Sequence, residues 1–177
     1  MNILAFDLAT NMGVSLYHTK LKVLKYEAVC VERKRYGMQF DEYYSYLKTR
    51  ISPTIDVVVY EDVKRHSSTA AAHMFGYYRG ALQQICHELG VACIGIDVGT
   101  IKRIVAGKGN ATKSEVAEAV FKWFEDNAVK HIPLVKENNS ITDDVTDSMA
   151  VAITAHWCIE ADGYLIDAAD KKNKYFL

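Results

Sequence analysis

The chain has 177 residues, half of them hydrophobic, which is enough for one domain, 1–177, with a full core. Its 21 basic and 22 acidic side chains leave a net charge of −1, weak evidence against a nucleic-acid binder because a balanced total can hide separate patches. The four cysteines form no C-x-x-C pair, and neither a signal peptide nor a bilayer-length apolar stretch is visible, so we expect a cytoplasmic protein without structural zinc or membrane contact.

Hydrophobic periodicity and turn residues predict a series of strands and helices. In chain order these are strands at 2–8, 14–19 and 22–31, a helix at 40–51, a strand at 55–61, a helix at 68–90, a strand at 91–97, a helix at 113–127 and a last helix from 141 onward. Short turns between the first three strands predict an antiparallel meander, and the later strands are expected to be parallel. The sequence therefore predicts an α/β fold with a mixed five-stranded sheet and helices on both faces. This order resembles that of the RNase H-like fold.

Two of the buried strands end in a carboxylate. Asp7 closes the run ILAF, and Glu61 closes the run VVVY. If these strands are parallel neighbours, the two carboxylates meet at the sheet edge where α/β proteins usually bind ligands. Each acid taken alone also has a structural explanation that needs no ligand. Asp7 can begin a turn, and Glu61 can lie where the chain leaves the sheet.

The last helix begins with three more acids, Asp143, Asp144 and Asp147. Residues three or four apart share a helix face, so Asp147 pairs with either Asp143 or Asp144 and the spacing does not choose between them. Acids favour a helix N-terminus, which accounts for the first two. This preference does not account for Asp147, which lies a full turn inside a helix that continues with apolar residues. Like charges at this spacing repel unless a cation lies between them.

The acids suggest a particular kind of metal. Carboxylates from two strand ends and one helix, without a Cys/His ligand set, suit a hard cation such as Mg²⁺, for which Mn²⁺ is expected to substitute. Two such ions side by side activate a water molecule and stabilise the leaving oxygen in phosphodiester cleavage.

The segment 98–113 is basic and contains no acid. It carries Lys102, Arg103, Lys108 and Lys113 together with three glycines that allow close backbone approach to a ligand. Its charge suits phosphate contacts along a nucleic acid. The alternative is a solvated surface loop.

Five segments, in order over nearly the whole chain, resemble those of the RuvC family of Holliday junction resolvases. They are ILAFDLATNMGVSL, VVVYEDV, GYYRGALQQICHELGV, IKRIVAGKGNATKSEV and DVTDSMAVAITAH. None of the five is specific by itself, but five in register form a strong signal together.

The resemblance implies an RNase H-like homodimer that nicks four-way DNA junctions in symmetric pairs with Mg²⁺. By position in the family motifs, Asp7, Glu61, Asp144 and Asp147 are the implied catalytic and metal-binding carboxylates. Lys102 falls on a family lysine near the DNA, and Lys113 on one that steadies the scissile phosphate. The helix around 76–90 is implied in the dimer interface.

The chain departs from the family shortly after the glutamate. Bacterial members carry there an aromatic residue implicated in opening the junction, whereas this chain has Lys64, Arg65 and His66. We expect Lys64 and Arg65 to grip phosphates instead of stacking on bases. Such divergence suits a phage- or virus-type member, acting in a bacterial or phage-infected cell on branched DNA in general.

Three other functions remain open at this stage. A non-catalytic junction-binding relative is expected to lose one or more carboxylates, but this chain keeps all four. An RNase H or another RNase H-like nuclease acting on hybrids or flaps is disfavoured only by the basic segment, whose resemblance to the RuvC family favours a junction substrate. A phosphotransferase of the actin and sugar-kinase class shares the start DLATNMG but needs a second domain that 177 residues cannot supply.

Overall fold

A computed structural model describes residues 1–31, 38–135, 140–166 and 174–176. The elements are β1 (Asn2–Asp7), β2 (Asn11–His18), a 3₁₀ turn (Thr19–Leu21), β3 (Val23–Cys30), α1 (Met38–Arg50), β4 (Val57–Asp62), α2 (Thr69–Leu89), β5 (Ala92–Asp97), α3 (Val98–Ala106), α4 (Lys113–Asp126), β6 (Lys130–Pro133), α5 (Asp143–Asp162), β7 (Tyr164–Ile166) and β8 (Lys174–Phe176).

The main sheet has six strands in the order β5-β4-β1-β2-β3-β6. The strands β1, β2 and β3 form the predicted antiparallel meander, and β4 and β5 continue the sheet in parallel beyond β1. The prediction of five strands was wrong by one. The short strand β6 pairs in parallel with the outer edge of β3. It is only four residues long, with three of them exposed, so it lacks the apolar run that betrays a strand in the sequence.

Helices cover both faces of this sheet, as predicted. One face packs against α1 and α2, with Leu4, Phe6 and Tyr43 in the shared core. The other face packs against α3, α4 and α5, with Ile3 and Ala5 in that core. Successive residues of β1 therefore enter different cores, which is why the strand is apolar throughout rather than alternating.

The first core is reinforced by a buried ion pair between the sheet and α1. The carboxylate of Glu27 on β3 accepts hydrogen bonds from the Tyr46 hydroxyl and from the Arg50 guanidinium. Glu27 is 4% exposed, so the charge of Arg50 and the hydroxyl of Tyr46 replace the water that it loses on folding. This contact fixes where α1 lies on the sheet.

The basic segment is partly helical rather than a loop. Residues 98–106 form α3, which begins where the Asp97 carboxylate accepts a hydrogen bond from the Thr100 backbone and ends at Gly107 with φ of 77°. The turn between α3 and α4 then brings the chain back along α5, so the lysines of the segment lie on different elements.

Two global properties of the described part of the chain complete the fold. No helix in it is both long enough and apolar enough to cross a bilayer. The four cysteines all lie in described ranges and form no disulfide with one another.

Candidate active site

Asp7 and Glu61 lie side by side at one edge of the sheet, on the face covered by α5. The strands β1 and β4 are parallel, and Ala5 is paired with Val59. Asp7 and Glu61 each lie two residues further along their strands. Ala5 and Val59 both belong to the core under α5. Because side chains two apart in a strand point the same way, both carboxylates point toward α5.

The first turn of α5 lies against this edge because β2 carries no side chain there. Gly13 on β2 is paired with Asp7 on β1. A Cβ atom at Gly13 would overlap the Asp144 carbonyl and lie 2.7 Å from the Val145 nitrogen. Only a glycine lets the backbone of α5 approach the strand this closely, and this approach brings the helix acids to Asp7.

Small side chains continue this contact along the helix. The hydroxyl groups of Ser15 on β2 and Ser148 on α5 are hydrogen-bonded at 2.7 Å and completely buried. Val151 and Ala155, on the same face of α5, are also fully buried. The small and apolar side chains on this face therefore let α5 lie close to the sheet.

Three of the site acids, Asp7, Glu61 and Asp147, have raised pKa values, and the charges of neighbouring acids contribute to each shift. Burial, followed by the negative charges of Glu61, Asp147 and Asp144, raises the pKa of Asp7 to about 8. Burial and then the charge of Asp147 raise the pKa of Glu61 to about 7. The pKa of Asp147 is also raised, mainly by burial. Four acids from β1, β4 and α5 thus form one interacting group that is unfavourable to ionise without positive charge nearby.

Lys113 supplies part of that positive charge. Its ammonium nitrogen lies 3.4 Å from an Asp147 carboxylate oxygen. Burial lowers the pKa of Lys113, but the carboxylates of Asp147, Asp143 and Asp7 more than offset this, so its pKa is raised. Lys113 is the first residue of α4, whose start is fixed by a reciprocal capping box between Thr112 and Glu115.

The structure distinguishes the two neighbouring acids that spacing left tied. Thr142 caps α5 through its side chain, so neither Asp143 nor Asp144 is the cap. Asp144 is half-buried and acts on the pKa of Asp7, whereas Asp143 is exposed and is not among the charges that do so. Asp144 and Asp147 are therefore the pair that faces the strand acids.

The other basic residues lie at varied distances from the acids. Lys102 is near enough to lower the pKa of Glu61, and its ammonium donates to the Ala111 carbonyl across the α3–α4 turn. Lys108 forms an exposed ion pair with Glu115. Arg103 borders a separate cavity of about 600 Å³ between α3 and α5.

The two basic residues after β4 are both exposed. Lys64 forms an ion pair with Asp97 at the end of β5, with the atoms 2.9 Å apart. Arg65 follows it in the loop. Both follow the end of β4, at the same end of the sheet as Asp7 and Glu61.

The donor set fits a hard cation, because every candidate ligand is a carboxylate oxygen. Among the described residues, no three His, Cys, Asp or Glu side chains stand close enough together to form a ready-made ligand group. The acids thus interact through charge but do not form a preformed coordination shell.

Most of the chain is similar in structure to Thermus thermophilus RuvC. It superposes on a Thermus thermophilus RuvC structure with a TM-score of 0.66 and 18% identity, covering 90% of this chain and 96% of that one. It superposes on T. thermophilus RuvC in complex with a Holliday junction substrate with a TM-score of 0.70 and 15% identity, covering 92% and 96%. The fold is that of RuvC.

This RuvC-like fold confirms the RNase H-like architecture expected from the order of elements. No family model matches the sequence, and no curated protein was found to be similar to it. At 15–18% identity the likeness to RuvC is one of fold.

Sequence reasoning alone did not find the part that Gly13 has in this site. The glycine is visible in ILAFDLATNMGVSL, but its closeness to α5 depends on a contact between residues more than 130 positions apart.

Proposed function

We propose that this protein is a metal-dependent endonuclease that resolves four-way DNA junctions by paired, symmetric nicks. The observation that carries the proposal is the group of four acids, Asp7, Glu61, Asp144 and Asp147, on a RuvC-like fold with Lys113 beside it. The T. thermophilus RuvC with a similar fold was solved with a Holliday junction substrate, which supports branched DNA as the substrate.

The four acids are the proposed ligands of Mg²⁺, with Mn²⁺ able to substitute. The raised pKa values of Asp7 and Glu61 fit this role, because a site of like charges gains most from a bound cation. When bound, such ions supply a water made nucleophilic at neutral pH and charge stabilisation of the leaving oxygen. In the hydrolysis, a water oxygen bonds to phosphorus, one phosphorus–oxygen bond to the sugar breaks, and a proton passes to the leaving oxygen.

Lys113 is proposed to act directly on the phosphate. Its ammonium already lies beside Asp147 and stays positively charged because its pKa is raised. A fixed positive charge at this position offsets the charge that develops on the phosphate oxygens as the bond breaks. We propose that Lys64, Arg65, Lys102, Arg103 and Lys108 hold the flanking phosphates.

We also propose that the protein acts as a homodimer. A four-way junction presents two equivalent strands to cut, and a two-fold dimer presents two equivalent sites. Static light scattering of the purified protein tests this directly, since a mass of one chain at the concentration that supports cleavage contradicts paired nicking by a dimer.

The deciding experiment compares substrates in Mg²⁺. Labelled four-way, Y-shaped, flap, RNA–DNA hybrid and linear substrates of matched sequence are incubated with the protein. We expect nicks at symmetric positions in the four-way junction, and at most slow cutting of the others. Cutting of the hybrid alone favours an RNase H, and binding of the junction without cutting favours a non-catalytic relative.

Asp7→Asn serves as the matched test of the site. It keeps size and shape while removing the charge, so we expect cleavage to fall by at least ~10³-fold with junction binding retained. Asp126→Asn, at the exposed end of α4, is the control and is expected to cleave normally. Equal activity of the two variants contradicts the proposed metal site.

A further inference from the structure

A cavity of about 600 Å³ lies between α3 and the end of α5, and none of the four acids lines it. Ile96 of β5 and Leu165 of β7 form its buried floor. Its volume falls within the roughly 300–1,000 Å³ typical of binding pockets. The side chains around the floor that keep some exposure are largely apolar, namely Ile104, Trp157, Cys158 and Tyr164.

Trp157 lines this cavity with much of its side chain in water. It is 52% exposed, and its indole makes no hydrogen bond or aromatic contact with the described residues. The other tryptophan, Trp123, is instead packed edge-on against Tyr17 and His156. Tryptophan offers a large apolar area and is enriched where a partner covers a protein surface. Its exposure beside an apolar cavity therefore marks a binding surface.

The end of α5 beside the cavity carries a negative charge that the helix does not compensate. Asp162 is the last residue of α5, lines the cavity and forms no ion pair with a described residue. The last turn of α5 contains no basic side chain, so the carboxylate adds to the negative end of the helix dipole. A positive group at this point is favoured by both, and the face of the Trp157 ring also attracts a cation.

The other charged groups of the cavity do not reverse this preference. The Asp97 carboxylate pairs with Lys64 and caps α3 through the Thr100 backbone. Arg103 is the one basic side chain among the described residues that line the cavity, and it donates a hydrogen bond to the Thr100 hydroxyl. With two carboxylates against one guanidinium, the inside of the cavity does not suit a phosphate.

We propose that this cavity is the docking site for a short segment of a partner protein. The segment places one large apolar side chain in the cavity and a lysine or arginine beside Asp162 and Trp157, which both line it. A free apolar molecule would fill the cavity but leave the Asp162 charge unpaired, whereas a peptide supplies both groups at adjacent positions. An aromatic anchor, an apolar pocket and a flanking charge together make up an interface hot spot.

A partner docked there leaves the candidate active site open. Asp144 and Asp147 lie in the first two turns of α5, whereas Trp157 and Asp162 lie in its last two turns. At 1.5 Å per residue, the two regions are about 20 Å or more apart along the helix. The partner thus holds the protein at one end of α5 while the acids at the other end reach their substrate. The inference concerns binding alone and does not depend on the nuclease function.

The test selects binding peptides without assuming the partner. A random library of short peptides displayed on phage is first depleted on immobilised Trp157→Ala and then selected on the unmodified protein. We expect the recovered peptides to share a large apolar residue next to a lysine or arginine. In titrations of one recovered peptide, we expect Trp157→Ala to weaken binding at least ~10-fold and Asp162→Asn at least ~3-fold.

Two variants are matched controls for these losses. Leu21→Ala also removes an exposed apolar side chain, and Asp126→Asn also removes an exposed carboxylate, but neither residue lines the cavity. Both are expected to bind the peptide like the unmodified protein. Thermal melts check that Trp157→Ala and Asp162→Asn remain folded, which the exposure of both side chains favours.

Fluorescence shows whether the peptide occupies the cavity. Trp123→Phe leaves Trp157 as the one tryptophan of the chain. Adding the peptide to this variant should move the emission to shorter wavelength, because the indole leaves water. A peptide that binds without moving the emission lies elsewhere, and the docking site is then refuted.

Other results would also overturn the proposal. Selection that enriches no peptide, or that enriches acidic ones, contradicts a site for a basic and apolar segment. If a four-way DNA junction alone moves the Trp157 emission and displaces the peptide, the cavity is a DNA contact. If Trp157→Ala lowers the mass of the protein in light scattering, the cavity is an interface between copies of this chain. Junction cleavage by Trp157→Ala, measured separately, should be unchanged, so loss of peptide binding and loss of nuclease activity are distinguished.

Discussion

Replacing Gly13 with alanine tests how the site is assembled. The added methyl group would overlap the Asp144 carbonyl and lie 2.7 Å from the Val145 nitrogen. Ordinary non-bonded contacts are about 3.5 Å, so the first turn of α5 must move by roughly 1 Å or more. That movement takes Asp144 and Asp147 away from Asp7, which stays on the strand.

Two magnitudes follow from this displacement. Overpacking a tight contact costs about 1–3 kcal/mol of folding free energy, which we expect in urea unfolding of Gly13→Ala. Misplacing catalytic groups by about 1 Å costs on the order of 10²-fold in rate, which we expect in junction cleavage under saturating Mg²⁺. Junction binding in a gel-shift assay should change little, because the basic residues are not moved.

The same substitution at Gly76 is the control. No atom lies within 4 Å of a Cβ there, and the residue is inside α2. Alanine should stabilise that helix by about 0.5–1 kcal/mol, which gives the effect on stability of a glycine-to-alanine change that displaces no neighbouring atom. If folded Gly13→Ala cleaves within threefold of the unmodified protein, close approach of α5 to β2 is not what positions the acids.

Three further predictions concern charge. The metal-free protein should lose stability as pH rises from about 4 to 8, because Asp7 with its pKa raised to about 8 binds a proton in the folded state that the unfolded state has released. Thermal melts in EDTA measure this, and Asp7→Asn should flatten the curve; an equally steep fall in the variant would assign it to other groups. Lys113→Ala should slow cleavage by about 10²–10³-fold, set against Lys122→Ala on the exposed side of α4. Equal rates for the two lysine variants would remove Lys113 from the chemistry. Arg50→Ala should destabilise the fold by about 3–5 kcal/mol in urea, because it leaves the buried Glu27 carboxylate without its cation; a loss below 1 kcal/mol would contradict that account.

Much of the fold was predictable because its signals are local. The strands β1 and β4 are continuous apolar runs, and the helices α2 and α4 have caps that are visible in the sequence, Gly90 for one and Thr112 with Glu115 for the other. Several elements gave no such signal, among them β6 and α3. The strand β6 is short and largely exposed, and α3 is a short helix inside a segment rich in glycine and lysine.

The candidate site was likewise predictable from the sequence only in part. Asp7 and Glu61 could be nominated from the sequence because each ends an apolar run, and their adjacency then required only that the strands be parallel neighbours. The resemblance to the RuvC family nominated Asp144 over Asp143, whereas spacing by itself did not. Exposure and charge in the folded chain point to the same residue.

The sequence by itself determined most of the strands and helices, that helices cover both faces of the sheet, and which acids close the strands. These properties depend on the order of apolar and polar residues along short stretches. Only the tertiary structure decided that Gly13 admits the start of α5 and that Lys113 lies beside Asp147. Each depends on contacts between residues far apart in the chain, and a local pattern carries no information about such distances.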